Sequence, residues 1–233
     1  MSIKILREVF AEKRTRFLLC LLLIFVLMIT TYYLGYNLVA NSIVYGTLMI
    51  TTYNVLIRKP AKDYKPPYIS IRIWIPIVFL MYIGMFFGLL YSTFHYTQSI
   101  KVLEEVGKEI IKLKSPEKIF LFNLVRGIFA VIPYIGPFII GIALGNSGFL
   151  IGIALKKLLV LEHYKDFVIT LLIPFHPYGF LELLSYGFFL TASLYIKSKH
   201  WKYSMLSISV AIVLLFIAAH LEIWEMEVYS YGV

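Results

Sequence analysis

The strongest constraint in this sequence is a long uncharged run. Residues 17–57 contain no Asp, Glu, Lys or Arg in 41 consecutive positions. A helix rises about 1.5 Å per residue and the hydrocarbon layer is about 30 Å thick, so a crossing needs about 20 mostly apolar residues. The run therefore predicts two transmembrane helices, joined by a tight turn near Tyr36-Asn37 and Asn41-Ser42.

The composition leads to the same assignment. The chain is 60% hydrophobic and 15% charged, with a mean hydropathy of +0.82, whereas a soluble domain is about 45 to 50% apolar and about 25% charged. An aromatic content of 17% excludes an unstructured chain. These values exclude a soluble globule and predict a multi-pass protein of the cell membrane, with the lipid bilayer as its first partner.

The charge and the cysteine content limit the chemistry. A net charge of +9 in so apolar a chain is a topology signal, and no nucleic-acid partner is expected. Cys20 is the only cysteine, which excludes an intrachain disulfide and a cysteine-based zinc site. The sequence contains neither H-E-x-x-H nor G-x-x-x-x-G-K-[ST]. We therefore predict no metal and no cofactor.

Proline and glycine interrupt two of the later hydrophobic runs. A third crossing, 73–94, and an amphipathic linker, 95–118, precede them. Each interruption frees backbone groups that lipid cannot satisfy, so the broken helices are expected to face protein or water. The first run, 119–144, is broken at Pro133 and Pro137, and the second, 167–196, at Pro174, Pro177 and Gly179.

Together these segments predict an all-α fold, a polytopic transmembrane helix bundle of six or seven crossings with two Pro/Gly-broken helices. The count depends on whether residues 149–173 cross the membrane or only re-enter it, and the last crossing is 203–221. The predicted divisions are a basic N-terminus at 1–16, N-terminal transmembrane helices at 17–94, the linker at 95–118, a C-terminal transmembrane domain at 119–221 and an acidic tail at 222–233.

The distribution of lysine and arginine predicts the orientation. Residues 1–16 and 58–72 hold five each and residues 197–202 hold three, so these segments are expected on the cytoplasmic side. The N-terminus is then cytoplasmic, and with seven crossings the acidic tail lies outside. Residues 101–118 also hold five lysines, and this scheme places them outside, against the same rule.

Ionisable side chains inside the apolar runs are the candidate functional residues, because an unpartnered charge there costs about 3 kcal/mol. Glu182 is the only charged residue of 167–196 and follows the Pro/Gly break by about one turn. It is either a proton, ion or substrate contact, as at the discontinuous helices of transporters, or a structural glutamate bound to Arg126 or Lys157. The predicted polar network is Asn123, Arg126, Asn146, His176, Tyr178, Glu182 and Glu222.

One short motif points to an enzyme. Residues 145–148 read GNSG, which fits G-x-S-G, and His220 follows two hydrophobic segments later; this resembles the serine and histidine of rhomboid intramembrane proteases. Such a pair must lie about 2.6 to 3.2 Å apart. The predicted crossings put Ser147 and His220 at opposite membrane faces, and Glu222 stands where glycine is expected. No catalytic residue is therefore predicted.

Four other motifs occur in order along the C-terminal half. They are Ile119-Phe120 with Asn123, Asn146-Ser147-Gly148 with Gly152, Pro177-Tyr178-Gly179-Phe180-Leu181-Glu182, and Ala218-Ala219 with Glu222. They are similar to the I-F-x-x-N, N-G-x-x-x-G, P-H-G-x-x-E and A-A-x-x-E motifs of the stage II sporulation protein M family, which includes uncharacterised prokaryotic membrane proteins. The second motif has one residue inserted, and Tyr178 stands in the place of the family's histidine.

The resemblance implies a polytopic membrane protein without established catalytic activity. In spore formers, members of the family act with cell-wall hydrolases in a membrane-remodelling complex, but a shared membrane fold does not carry such partners with it. Three functions stay open, in this order: a non-enzymatic scaffold or partner-binding subunit, a small transporter or permease-like subunit with its site at the broken helices, and a rhomboid-like serine protease. Other membrane or envelope proteins are the expected partners, and a homo-oligomer is left open.

Overall fold

The computed structural model describes residues 15, 18–30, 37–56, 65–110 and 115–230, and in these ranges it contains only helices and the turns that connect them. The all-α prediction is confirmed for these ranges. A 3₁₀ helix, Ile173–Phe175, lies between the seventh and eighth α-helices. In chain order the α-helices are α1 (Leu18–Thr30), α2 (Leu38–Leu56), α3 (Pro66–Phe94), α4 (Tyr96–Ile110), α5 (Pro116–Ala130), α6 (Ile135–Val160), α7 (Tyr164–Leu171), α8 (Pro177–Lys197) and α9 (Trp201–Ser230).

Four of these helices are long and apolar enough to cross a membrane, namely α3, α6, α8 and α9. By length and composition they form a helical membrane bundle, as predicted. α5 has 15 residues and is therefore about 22 Å long, shorter than the hydrocarbon layer. α4 occupies most of the linker 95–118, in which the sequence predicts an amphipathic helix.

Contacts between the helices define two ends of the bundle. We call one the basic end: it is formed by the start of α3, the α5–α6 turn and the α8–α9 turn. There the Lys197 ammonium lies 4.4 Å from the centre of the Tyr134 ring, and Ser70 Oγ lies 2.9 Å from Thr191 Oγ1. The opposite, acidic end is formed by the end of α9 and the start of α8, where Glu225 contacts His176, and by the 3₁₀ helix, which packs against Tyr82 in the middle of α3. The helices α3, α6 and α9 therefore run from the basic end to the acidic end, and α5 and α8 return.

Glycines bring α6 into close contact with α3. A Cβ atom at Gly148 would meet the Met81 carbonyl oxygen, and one at Gly152 would meet that of Met85, so small residues are required here. The sequence predicts the end of a crossing at 145–148, but α6 runs through this segment without a break. Close packing against α3 offsets the cost of about 1 kcal/mol that each glycine carries inside a helix.

The break at Pro133 separates two helices instead of bending one. α5 ends at Ala130 and α6 begins at Ile135, and between them Tyr134 has a φ of 69°. Proline stops the helix because it has no N–H to donate, and the positive φ turns the chain. Tyr134 is 71% exposed, so the turn lies at the surface of the basic end. The prediction of a single, inward-facing crossing over 119–144 is therefore wrong.

The second break lies where the sequence predicts it. The chain passes from α7 through the 3₁₀ helix, and α8 starts with Pro177, whose fixed φ suits the first position of a helix. The structure differs from the prediction after the last crossing. α9 continues to Ser230, so Glu222 lies within this helix and not in a tail; residues 231–233 lie outside the described ranges.

Candidate functional site

A cluster of ionisable side chains lies at the acidic end, where α5, α8 and α9 meet the 3₁₀ break. Its centre is Glu182, in the second turn of α8. The Tyr186 hydroxyl, one turn further on the same face, donates to Glu182 Oε1 at 3.2 Å. We call the following residues the polar cluster: Arg126, His176, Glu182, Tyr186, Glu222 and Glu225.

Arg126 joins α5 to this cluster. α5 is capped by Ser115, whose side chain accepts the Lys118 backbone N–H at 3.4 Å, and its face toward α8 carries Arg126. The guanidinium is close enough to Tyr186 and Glu182 to interact electrostatically with both. Its Cζ atom also lies 3.9 Å from the centre of the Phe122 ring, a cation–π contact within the same helix. One permanent cation is therefore held against the α8 carboxylate.

α9 supplies two further carboxylates. Glu222 and Glu225 are three residues apart and share a helix face, and Glu222 lies within electrostatic range of Glu182. Glu225 Oε2 lies 3.1 Å from His176 Nδ1, and the two side chains are only 13% and 18% exposed. His176 reaches this position because it is the extended residue, φ −60° and ψ 149°, that precedes α8. The helix break therefore places an imidazole against the end of α9.

The cluster holds more acid than base. Three carboxyl groups, on Glu182, Glu222 and Glu225, face one guanidinium and one imidazole. A partly buried carboxylate within a transmembrane helix bundle needs a counter-charge or a hydrogen-bond donor. Arg126 and Tyr186 supply both for Glu182, and His176 supplies one for Glu225. Among the described residues no base contacts Glu222, so a proton or a small cation is a means of balancing it.

The remaining predicted network residues divide into two groups. Asn123 is 7% exposed and lies one turn before Arg126 on α5, and the Tyr178 ring lies 5.9 Å from the His176 ring; both border the polar cluster. Asn146 lies apart, on α6, where its Nδ2 donates to Ser42 Oγ of α2 at 2.8 Å. The expectation that Asn123, Asn146 and Glu182 meet in one network is therefore wrong for Asn146.

Two members of the polar cluster were not among the predicted residues. Tyr186 lies four residues after Glu182, and Glu225 lies three residues after Glu222. Both spacings place a side chain on the same helix face as a predicted residue. Helical spacing from each predicted acid was the signal that could have found them.

The two groups of helix breakers lie at opposite ends of the bundle. Pro133 and Pro137 belong to the α5–α6 turn and the start of α6, at the basic end. Pro174, Pro177 and Gly179 surround the 3₁₀ helix at the acidic end, where a Cβ atom at Gly179 would meet the Ile173 carbonyl oxygen. The two breaks therefore do not form a common site.

No described contact supports the serine–histidine pair. Ser147 lies in the middle of α6, whereas His220 lies on α9 and its Nδ1 is 2.9 Å from the Phe216 carbonyl oxygen of its own helix. Both α5 and α8 pack against α6 and against α9, so they lie between the helix that carries Ser147 and the helix that carries His220.

The ranges that the structure covers contain no group of three or more His, Cys, Asp or Glu arranged to hold a metal ion.

Comparison with known proteins adds no assignment to this geometry. The chain matches no protein-family model, no curated protein and no solved structure. The resemblance to the stage II sporulation protein M family stays a prediction from four motifs, of which three contain a residue that belongs to the polar cluster or borders it.

Proposed function

We propose that this protein crosses the membrane seven times with its N-terminus in the cytoplasm. Four crossings are α3, α6, α8 and α9, and α1, α2 and α5 supply the other three. The 15-residue α5 is shorter than the hydrocarbon layer, so its crossing requires local thinning of the bilayer. In support, α2 and α5 both run toward the basic end: the Tyr53 hydroxyl near the end of α2 donates to the Leu190 carbonyl oxygen at 3.2 Å, and α5 leads into the turn beside Lys197. Lys65 and Arg72 at the start of α3, and the lysines of 197–202, then share one face of the membrane, as the positive-inside rule requires. The lysines of the 95–118 linker stay on the other face.

Labelling of introduced cysteines tests this topology. In a Cys20→Ser background, Lys199→Cys at the basic end and Glu227→Cys near the end of α9 are expected to react with a membrane-impermeant maleimide from opposite sides. Reaction of both positions from the same side would mean that α9 does not cross the membrane, and this would contradict the proposed topology.

In function, we propose a non-enzymatic membrane scaffold, a subunit that binds other membrane or envelope proteins, of the kind that the stage II sporulation protein M resemblance implies. The observation that carries this proposal is that the polar cluster is closed toward the basic end. Toward the basic end it is followed by an apolar layer in which Phe189 and Leu190 of α8 are fully buried. Leu215 of α9 is 1% exposed and belongs to the same hydrophobic core.

A conduction pathway must open to both membrane faces. A polar cluster that is closed toward the basic end therefore suits a scaffold better. Arg126 of α5 attracts Glu182 of α8, and His176, directly before α8, contacts Glu225 of α9, so these two pairs fix α5, α8 and α9 relative to one another. α9 is the least buried of the four long helices, because only 33% of its most apolar stretch is buried inside the protein. A rigid three-helix unit with an exposed apolar helix is a suitable surface for a partner's transmembrane segment.

Site-specific photocrosslinking tests the scaffold. A photoreactive residue at Val213, which is 56% exposed on α9, is expected to give a discrete protein adduct in native membranes. The control position is Phe79 on α3, which is 55% exposed. Lipid adducts alone at both positions, or the same protein adducts at both, would contradict a specific partner surface on α9.

A small transporter is the second candidate, favoured by the excess of carboxyl groups in the polar cluster. Proton or cation flux in proteoliposomes that Glu182→Gln abolishes and Glu105→Gln on α4 leaves unchanged would overturn the scaffold and establish this alternative. We expect no flux above that of empty liposomes for the wild type and for both variants.

A further inference from the structure

An apolar groove lies at the basic end, away from the polar cluster. Its volume is about 400 Å³, and every side chain that lines it is apolar. It opens toward the lipid, because Ile128 on its α5 wall is 55% exposed. The groove lies between the end of α5 with the turn that follows it and the neighbouring faces of α8 and α9, and no other described helix lines it. Its walls include Leu124, Ile128 and Pro133 from α5 and the following turn, Ile196 from α8, and Ile208 and Ile212 from α9.

One lysine lies at the mouth of this groove, and two more follow it closely in the chain. Lys197 follows the wall residue Ile196, and its ammonium lies 4.4 Å from the ring centre of Tyr134, which follows the wall residue Pro133. Lys199 is exposed on the adjoining α8–α9 turn, and Lys202 is exposed in the first turn of α9. Residues 183–221 contain no Asp or Glu, so this stretch provides no acid to neutralise the lysines. We call Lys197, Lys199 and Lys202 the basic collar.

Two aromatic side chains place the mouth of the groove at the headgroup level. Tyr134 is 71% exposed and Trp201 is 61% exposed, and both flank the basic collar. Exposed tyrosine and tryptophan rings concentrate at the boundary between the hydrocarbon layer and water. The groove therefore extends from this boundary into the hydrocarbon layer.

We propose that the groove and the basic collar form a binding site for one anionic phospholipid. One of its two acyl chains fills the groove, and the phosphate lies among the ammonium groups of Lys197, Lys199 and Lys202. Basic pockets between transmembrane helices recognise anionic headgroups in this way. The site is separate from the polar cluster, and the proposal does not depend on the scaffold function.

The size of the groove favours an acyl chain over a helix from another subunit. From Leu124 to Pro133 the groove spans about 13 Å at the helical rise per residue. A helix about 10 Å across would occupy roughly 1,000 Å³ over that length, more than the whole empty space of the groove with its open side, which is about 770 Å³. A flexible chain one methylene wide fits the same space.

Native mass spectrometry of the delipidated full-length protein, titrated with phosphatidylglycerol or phosphatidylcholine, tests the site. We expect phosphatidylglycerol to be retained in preference to phosphatidylcholine. Lys197→Gln is expected to weaken phosphatidylglycerol retention about fivefold, the effect of one lysine near an anionic lipid, whereas Lys157→Gln at the end of α6 is expected to have no effect. Equal retention of the two lipids by the wild type, or no loss in Lys197→Gln, would overturn the proposal.

Filling the groove provides an independent test. Ile128→Trp is expected to abolish retention of phosphatidylglycerol, and Val125→Trp, on an exposed face of the same helix that does not line the groove, is expected to preserve it. Circular dichroism checks that both variants fold; if Ile128→Trp does not, the lysine variants decide. Unchanged retention in folded Ile128→Trp, or a change in oligomeric state with lipid retention intact, would assign the groove to something other than lipid.

Free glycerol 3-phosphate separates the two sources of a phosphate. It carries the phosphate without acyl chains, so it is not expected to displace phosphatidylglycerol. Displacement at matched concentration would mean that the basic collar binds phosphate alone and that the groove takes no part.

Discussion

The interface between α3 and α6 and the junction of α5, α8 and α9 represent two different ways of holding helices together in lipid. At the first, backbones approach closely over glycines such as Gly88 and Gly148, and contact is almost entirely apolar. At the second, Arg126 and Glu182 link α5 to α8, and His176 and Glu225 link the start of α8 to α9. Packing over glycine depends on shape alone, whereas the charged junction depends on a balance of protonation and partners. We therefore place structural rigidity in the first region and the candidate site in the second.

The largest expected effect is at the glycine interface. Gly88→Ala would place a Cβ atom against the Phe149 backbone carbonyl, which cannot move without shifting α6. Overpacking of this kind costs about 3 kcal/mol, measured as the loss of unfolding free energy in denaturing mixed micelles. Gly107→Ala on α4, where a Cβ atom meets nothing within 4 Å, is the matched control. If the two variants have equal stability, α3 and α6 are not in the described contact.

Removal of the cation in the polar cluster is expected to have the next largest effect. Arg126→Gln leaves three carboxyl groups with only His176 as a base, and we expect a loss of about 2 kcal/mol, below the range for a fully buried pair because the site is partly exposed. In a double-mutant cycle, Glu182→Gln should recover part of that loss, since the two side chains interact. Additive losses would mean that Arg126 and Glu182 act independently.

A smaller effect is expected at the helix break. His176→Gln removes the contact with Glu225, whose atoms lie 3.1 Å apart in a mostly buried setting, and should cost about 1 kcal/mol. His163→Gln is the control, because His163 and Asp166 are 57% and 58% exposed and lie 3.5 Å apart, a geometry that contributes little. Equal melting temperatures for both variants would mean that the contact between His176 and Glu225 does not stabilise the protein.

The smallest expected effect separates Asn146 from the polar cluster. Asn146→Ala loses one hydrogen bond to Ser42 between α6 and α2, worth about 0.6 kcal/mol between transmembrane helices. Because Asn146 lies outside the charged junction, its loss should add to that of Arg126→Gln without coupling. A coupling energy well above the error of the unfolding measurement would mean that both belong to one network.

The sequence by itself determined the class of fold. Uncharged runs as long as 17–57 can be satisfied only by helices in lipid, because each backbone group must then bond within its own segment. It also located the break before α8, since Pro177 can start a helix but cannot continue one. Glu182 was recognisable because a lone acid in an apolar run demands a partner.

Only the tertiary structure decided which partner each side chain has. Gly145 and Gly148 look like a loop when hydrophobicity is counted, but both lie within α6, where Gly145 packs against Tyr45 of α2 and Gly148 against Met81 of α3. Glu222 lies in the continuation of α9, and the packing of that helix on α8 brings it to Glu182. Contacts between residues distant in the chain depend on how helices pack, and local periodicity carries no information about that packing.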